Sequence, residues 1–204
     1  RQGSETVIAK GQTLTDLREK SRRTPYDDQR RLDASVDDVR FILVREFLSE
    51  VGSGLLSERD ELQIYRNLRL ITRVNGHEVP RNIALLFFTS EPERFFPTAR
   101  IELVQFRDPE GGDTIEERVF RGPLHSQLRD CLRTLQNLLS EEIRKHPDRA
   151  EASGIVSYPY NAIEEALVNA VYHRSYEYTE QSGPVKVHLY PDRLQIISYP
   201  GPVA

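Results

Sequence analysis

The chain has 204 residues, enough for more than one compact unit, since domains commonly run about 100–150 residues. Hydrophobic residues make up 38% and charged residues 29%, and no apolar run approaches the roughly 20 residues of a membrane span, so the sequence reads as a soluble globular chain with a charged surface. The net charge of -4 argues against a uniformly basic nucleic-acid groove and leaves room for a local patch. A single cysteine, Cys131, excludes an intrachain disulfide and a Cys-rich zinc site, and points to a reducing cytoplasm.

Arg1-Gln2-Gly3-Ser4 is neither a signal peptide nor an initiator, and the sequence contains no Met, so an internal fragment is expected. Residues 1–10 read as a short extended piece. Thr13 or Thr15 is the expected N-cap of a helix through about Arg23, stopped by Pro25. Arg18, Lys20, Arg22, Arg23, Arg30 and Arg31 cluster here, but Asp16, Glu19, Asp27 and Asp28 interleave with them, which predicts a mixed solvated face. Ser35 is expected to cap a helix from Val36 to about Val51, with Val36, Val39, Val44, Phe47 and Leu48 inward and Gly52-Ser53-Gly54 as its end. Ser57 is expected to begin the next helix, with Leu62, Tyr65 and Leu68 inward.

Ile71 to Val79 predicts a hairpin centred on Asn75-Gly76, because the primed turn needs positive φ at both central residues. Asn82 to Phe88 predicts a short buried helix. Helix, hairpin and short helix together suggest a winged-helix-like connector over 11–97. Its candidate recognition helix, Glu58 to Leu68, carries both signs of charge, so a scaffold is the plainer reading. Pro92 to Pro97 marks the expected boundary.

Beyond it, Arg100 to Phe106 and Thr114 to Phe120 predict strands around a Pro/Gly turn. Gly122-Pro123 then opens a long helix from Leu124 to about Lys145, striped by Leu124, Leu128, Cys131, Leu132, Leu135, Leu138 and Leu139. Cys131 falls within the stripe, which predicts a buried, inert thiol. A linker runs to Tyr158. Ala162 to Arg174 predicts an amphipathic helix with Ile163, Ala166, Leu167 and Ala170 inward and with Glu165 and Asn169 at i and i+4 on one face. A carboxylate and an amide so placed at the edge of a core can serve a magnesium nucleotide: the carboxylate orients a water, the amide oxygen ligates a hard cation. Pro184–Tyr190 and Leu194–Ser198 predict a hairpin about Pro191-Asp192-Arg193, ending in Tyr199-Pro200-Gly201-Pro202.

The run Glu165-Ala166-Leu167-Val168-Asn169-Ala170-Val171-Tyr172-His173-Arg174-Ser175-Tyr176, followed by that hairpin, resembles the ATP-binding fold of DNA gyrase, Hsp90 chaperones and histidine kinases. It is most similar to the divergent variant associated with Schlafen-type AlbA domains, also described as RecG C-terminal-like predicted transcriptional regulators. The helix of that variant reads roughly E-A-L-x-N-A-x-x-H-R-x-Y. Gly3-Ser4-Glu5-Thr6-Val7-Ile8-Ala9 is similar to the last strand of its AlbA domain.

The resemblance implies an α+β chain: 1–10 the end of an AlbA-type domain, 11–97 the connector, and 98–204 part of a two-layer α/β sandwich of the gyrase/Hsp90 type. It implies Glu165 as the residue that activates water, Asn169 as the magnesium ligand, and His173 beside nucleotide or metal. Gly201 would lie in the turn where the parent family reads D-x-G-x-G with an adenine-binding aspartate. Here the place of that aspartate falls to Ser198 or Tyr199, followed by Pro200, and Ser198-Tyr199-Pro200-Gly201 is more similar to the N-P-G or S-P-G form of the variant than to the parent. The cofactors implied are ATP and Mg2+, with hydrolysis weak or absent. The partners implied are a nucleotide and DNA or RNA held upstream, in a cytoplasmic homo-oligomer without a membrane, acting in transcription control or antiphage defence. A non-enzymatic DNA/RNA-binding scaffold, or a Schlafen-like nuclease whose acidic cluster lies upstream of Arg1, are the alternatives.

Other chemistry is unsupported. The five histidines His77, His125, His146, His173 and His188 form no close metal pair, no P-loop is present, and Ser153-Gly154 lacks the flanks of a nucleophile elbow.

Overall fold

The computed structural model describes residues 10, 11, 14, 24–145, 159–179 and 182–199, with the side chains of 140–145 left aside. The strand expected over 3–9, nearly all of the helix expected from Thr13 or Thr15, the linker 146–158 and Gly201 lie outside them. The described residues form an α+β chain with five α-helices and two sheets. It divides into two compact units, Arg1–Phe88 and Thr89–Ala204. The break precedes the Pro92–Pro97 segment expected to mark it, because Phe95 and Phe96 are buried, and Phe96 meets Tyr176 edge-on at 6.5 Å within the second unit.

In the first unit, Ser35 caps as expected: its hydroxyl accepts from Asp37 N–H, and Asp38 reaches back to the Ser35 N–H at 2.9 Å, a capping box with Asp in place of Glu. The helix expected over 36–51 is nevertheless broken. Val36–Asp38 is a 3-10 turn, Val39 and Arg40 are extended, and the helix proper, α1, is Phe41–Glu50. The Arg40 N–H donates to Phe88 O at 2.6 Å, a non-local bond that holds the extended break. Gly52 at φ 63 follows α1.

Helix α2 (Glu61–Asn67) starts later than expected, because Asp60 and not Ser57 supplies the cap, accepting from Leu62 and Gln63 N–H. That start turns Ile64 and Tyr65 inward and leaves Leu62 38% exposed. The Tyr65 hydroxyl donates within its buried site, to Val39 O at 3.2 Å or Glu61 Oε1 at 2.7 Å. Strands β1 (Ile71–Val74) and β2 (His77–Pro80) pair antiparallel about Asn75 (φ 50) and Gly76 (φ 87), the expected hairpin. Helix α3 (Asn82–Phe88) is buried as expected, and the loop before α1 caps it: Gln29 O and Asp27 O accept from Asn82 and Ile83 N–H.

The second unit is a four-stranded sheet in the order β4-β3-β5-β6, built from β3 (Ile101–Phe106), β4 (Thr114–Phe120), β5 (Val185–Leu189) and β6 (Leu194–Ile197). Two antiparallel hairpins meet along a parallel β3–β5 seam, where Ile101 faces Val185 and Leu103 faces Val187. Between them in sequence run α4 (Leu124–Lys145) and α5 (Tyr160–Tyr172), which pack on each other and on the sheet. Leu124, Cys131, Leu135, Ile163, Leu167 and Val171 are buried in this core, each full burial stabilising by about 1.5–3 kcal/mol for the large side chains. Gln127 is buried beside them and ties α4 to the sheet entry, donating to Ala99 O at 2.8 Å and Gly122 O at 2.5 Å. Among the described residues no helix is long and apolar enough to cross a membrane.

Candidate functional site

The buried positions of α5 recur every four residues: Ile163, Leu167 and Val171 are 4%, 0% and 0% exposed. Glu165, Asn169 and His173 each follow one of these by two residues, about 200° further round the helix axis. All three are exposed, in one row on the side of the helix opposite its buried positions. The stripe expected from Ile163, Ala166, Leu167 and Ala170 is thus corrected, since Ala166 is exposed and Val171 takes the inward place. The edge-of-core setting expected for Glu165 and Asn169 is replaced by an open helix surface.

Two polar ties hold the end of β6 against this helix. The Ser198 hydroxyl donates to Ala170 O at 3.0 Å, so one of the two residues expected in the adenine position, Ser198 or Tyr199, touches the backbone one position after Asn169. Arg174 makes the second tie. It follows the helix C-cap residue His173, whose N–H donates to Asn169 O at 3.0 Å. Arg174 is only 7% exposed. Its Nη2 donates to Gly183 O at 2.6 Å, Tyr199 O at 2.8 Å and Thr98 Oγ1 at 3.4 Å, and its guanidinium lies 4.9 Å from the Tyr176 ring centroid. The acceptors are carbonyls and a hydroxyl, and Nη1 is buried without an acceptor. Burial accordingly pulls the Arg174 guanidinium below its usual pKa, against an opposing effect of Tyr176. Burial also pushes the Tyr176 phenol up; its hydroxyl donates to Val171 O at 2.7 Å.

Glu165, Asn169, His173 and Ser198 therefore belong to one helix and the strand end strapped to it, while Gly201 lies outside the described residues. Arg174 acts structurally, as a buried tie between the helix end and the end of β6. Its signal was an arginine just after a helix end, followed two residues later by a tyrosine that stacks beneath it.

A magnesium nucleotide can be tested against this donor set. Among the described residues no group of three or more His, Cys, Asp or Glu gathers to hold a metal by itself. A single amide oxygen such as that of Asn169 suits an ion that arrives on phosphates, because magnesium keeps most of its shell as phosphate oxygens and water. The exposed row offers one such oxygen, that of Asn169.

Comparison with known protein families, with curated proteins and with solved structures found no match to this chain.

Proposed function

We propose that the second unit is part of an ATP-binding domain of the divergent gyrase/Hsp90-like type, in a regulatory protein of the Schlafen/AlbA-associated kind. The observation that carries this reading is the Ser198–Ala170 tie, which brings the end of β6 to the helix turn bearing Asn169. A nucleotide lying along the exposed face of α5 would meet Asn169 and Glu165 with its phosphates and the Ser198–Tyr199 strand end with its base. The mixed four-stranded sheet with two helices also supports it.

In this reading Asn169 would hold magnesium through its amide oxygen, and the ion would neutralise phosphate charge when bound. Glu165 orients a water toward the terminal phosphate. His173, one turn further on, can donate to a phosphate oxygen. The helix face is open to bulk water, so turnover is weak. Substituting Glu165→Gln in the full-length protein is expected to lower ATP turnover about a hundredfold or more while leaving nucleotide affinity within about threefold. Equal turnover by the variant would remove Glu165 from the chemistry.

The outward direction of Glu165 and Asn169 favours a second reading, a non-enzymatic DNA- or RNA-binding regulator that uses the fold as an oligomeric scaffold. Nucleotide co-purifying in stoichiometric amount with the full-length protein supports the first reading and opposes the second.

A further inference from the structure

The first unit carries a cleft of about 490 Å³ whose wall is dominated by Arg66, Arg69, Arg73 and Arg81, with Glu78 among them. Three pieces of local structure assemble it. Helix α2 ends at Asn67, and Arg69 then takes φ 57, a left-handed conformation rare for a side chain of this size, which turns the chain into β1. The hairpin register sets Arg73 opposite Glu78 and so on the same face. Arg81 follows β2, where it is fixed by Asp28, accepting both through its backbone oxygen at 3.0 Å and through its carboxylate.

The charges do not balance. Glu78 is engaged by Arg66, at 2.9 Å from Nε and 2.6 Å from Nη2, leaving Arg73 with a 3.4 Å bond to Gly76 O. Asp28 serves Arg81 and, at 3.6 Å, Arg69. Four guanidiniums thus share two carboxylates, an excess of two positive charges in a chain whose net charge is -4. Arg81 Nε is buried and has no acceptor. Guanidinium forks match phosphate oxygens in geometry as well as charge.

We infer that this cleft binds the phosphodiester backbone of a nucleic acid. The arginine side chains sit at graded depth, Arg81 17%, Arg66 44% and Arg69 73% exposed, which suits a line of successive phosphates better than one enclosed dianion. The inference goes beyond the nucleotide site proposed above and does not rest on it.

The test is an anisotropy titration of the full chain with labelled single-stranded and duplex oligonucleotides, without nucleotide or magnesium, over a salt series. Arg69→Gln with Arg73→Gln is expected to weaken binding about tenfold or more near 0.1 M salt, and to lower the slope of log K against log salt by about 1–2. Glu78→Gln, which frees Arg66, is expected to tighten binding. Arg81 is left intact because it anchors the 26–30 loop. Absence of binding by the unaltered chain, or identical affinities across the three proteins, overturns the inference. Equal occupancy of the cleft by millimolar inorganic phosphate, with no gain for an oligonucleotide, identifies a small phosphate ligand and overturns it also.

Discussion

The Ser198 hydroxyl donates to the backbone oxygen of Ala170 at 3.0 Å, so a strand end and a helix 28 residues apart in sequence share a bond one position beyond Asn169. With the Arg174 bonds to Gly183 O and Tyr199 O, this strap fixes where the chain leaves β6 relative to the exposed row of α5.

Arg174 is the stronger of the two ties. Arg174→Ala leaves the Gly183 and Tyr199 carbonyls without their charged donor, and a net loss of about 2 kcal/mol is expected, since bonds to charged groups are worth roughly 1.5–3 kcal/mol each and relief of the buried charge offsets part. Arg174→Lys should recover less than half, because an ammonium is more strongly hydrated, so costlier to bury, and lacks the planar guanidinium that lies against the Tyr176 ring. Urea unfolding followed by circular dichroism measures both; variants within about 0.5 kcal/mol of the parent would contradict the strap.

Cys131 is a built-in reporter of the second core. It is fully buried in α4, and burial pushes its thiol up to about 12. An aromatic disulfide reagent at about pH 8 is expected to leave the folded chain unlabelled and to titrate one thiol per chain in denaturant. Labelling of the native chain within seconds would contradict the packing of α4.

His188 stands edge-on to the stacked Phe106–Tyr190 pair, 5.4 Å from the Phe106 ring centroid and 6.2 Å from that of Tyr190. Burial, and then the charge of Lys186, hold its imidazole below the usual 6.5. The unfolded chain therefore takes up this proton at higher pH than the folded chain. The stability from the neutral ring is whole above about pH 6.5 and is lost as pH falls through the lower folded value. Thermal midpoints from about pH 7.5 to about pH 5.5 should drop more for the parent than for His188→Gln; parallel profiles would contradict the assignment.

Elements whose signals are local were legible in the sequence. The Asn75-Gly76 hairpin was readable because positive φ demands those residues, and Leu124–Lys145 because its apolar stripe runs unbroken from a Gly-Pro start. What depends on distant partners was not. The break at Val39–Arg40 is held by Phe88, and the β3–β5 seam joins strands nearly 80 residues apart. The direction of the α5 row escaped for a subtler reason. Ala166 and Ala170 read as apolar in sequence, yet alanine is small enough to leave the core, so Ala166 is exposed, Ala170 only half-buried, and Val171 takes the core position. The arginine cleft was hidden because its side chains come from a helix end, a strand and the residue after a second strand.

The account stands most directly on Asn169. Calorimetric titration of the full-length protein with ATP, with and without magnesium, is predicted to show binding that magnesium strengthens, with Asn169→Ala losing the magnesium-dependent part and at least about tenfold in affinity. An affinity for ATP that neither magnesium nor Asn169→Ala alters would contradict it.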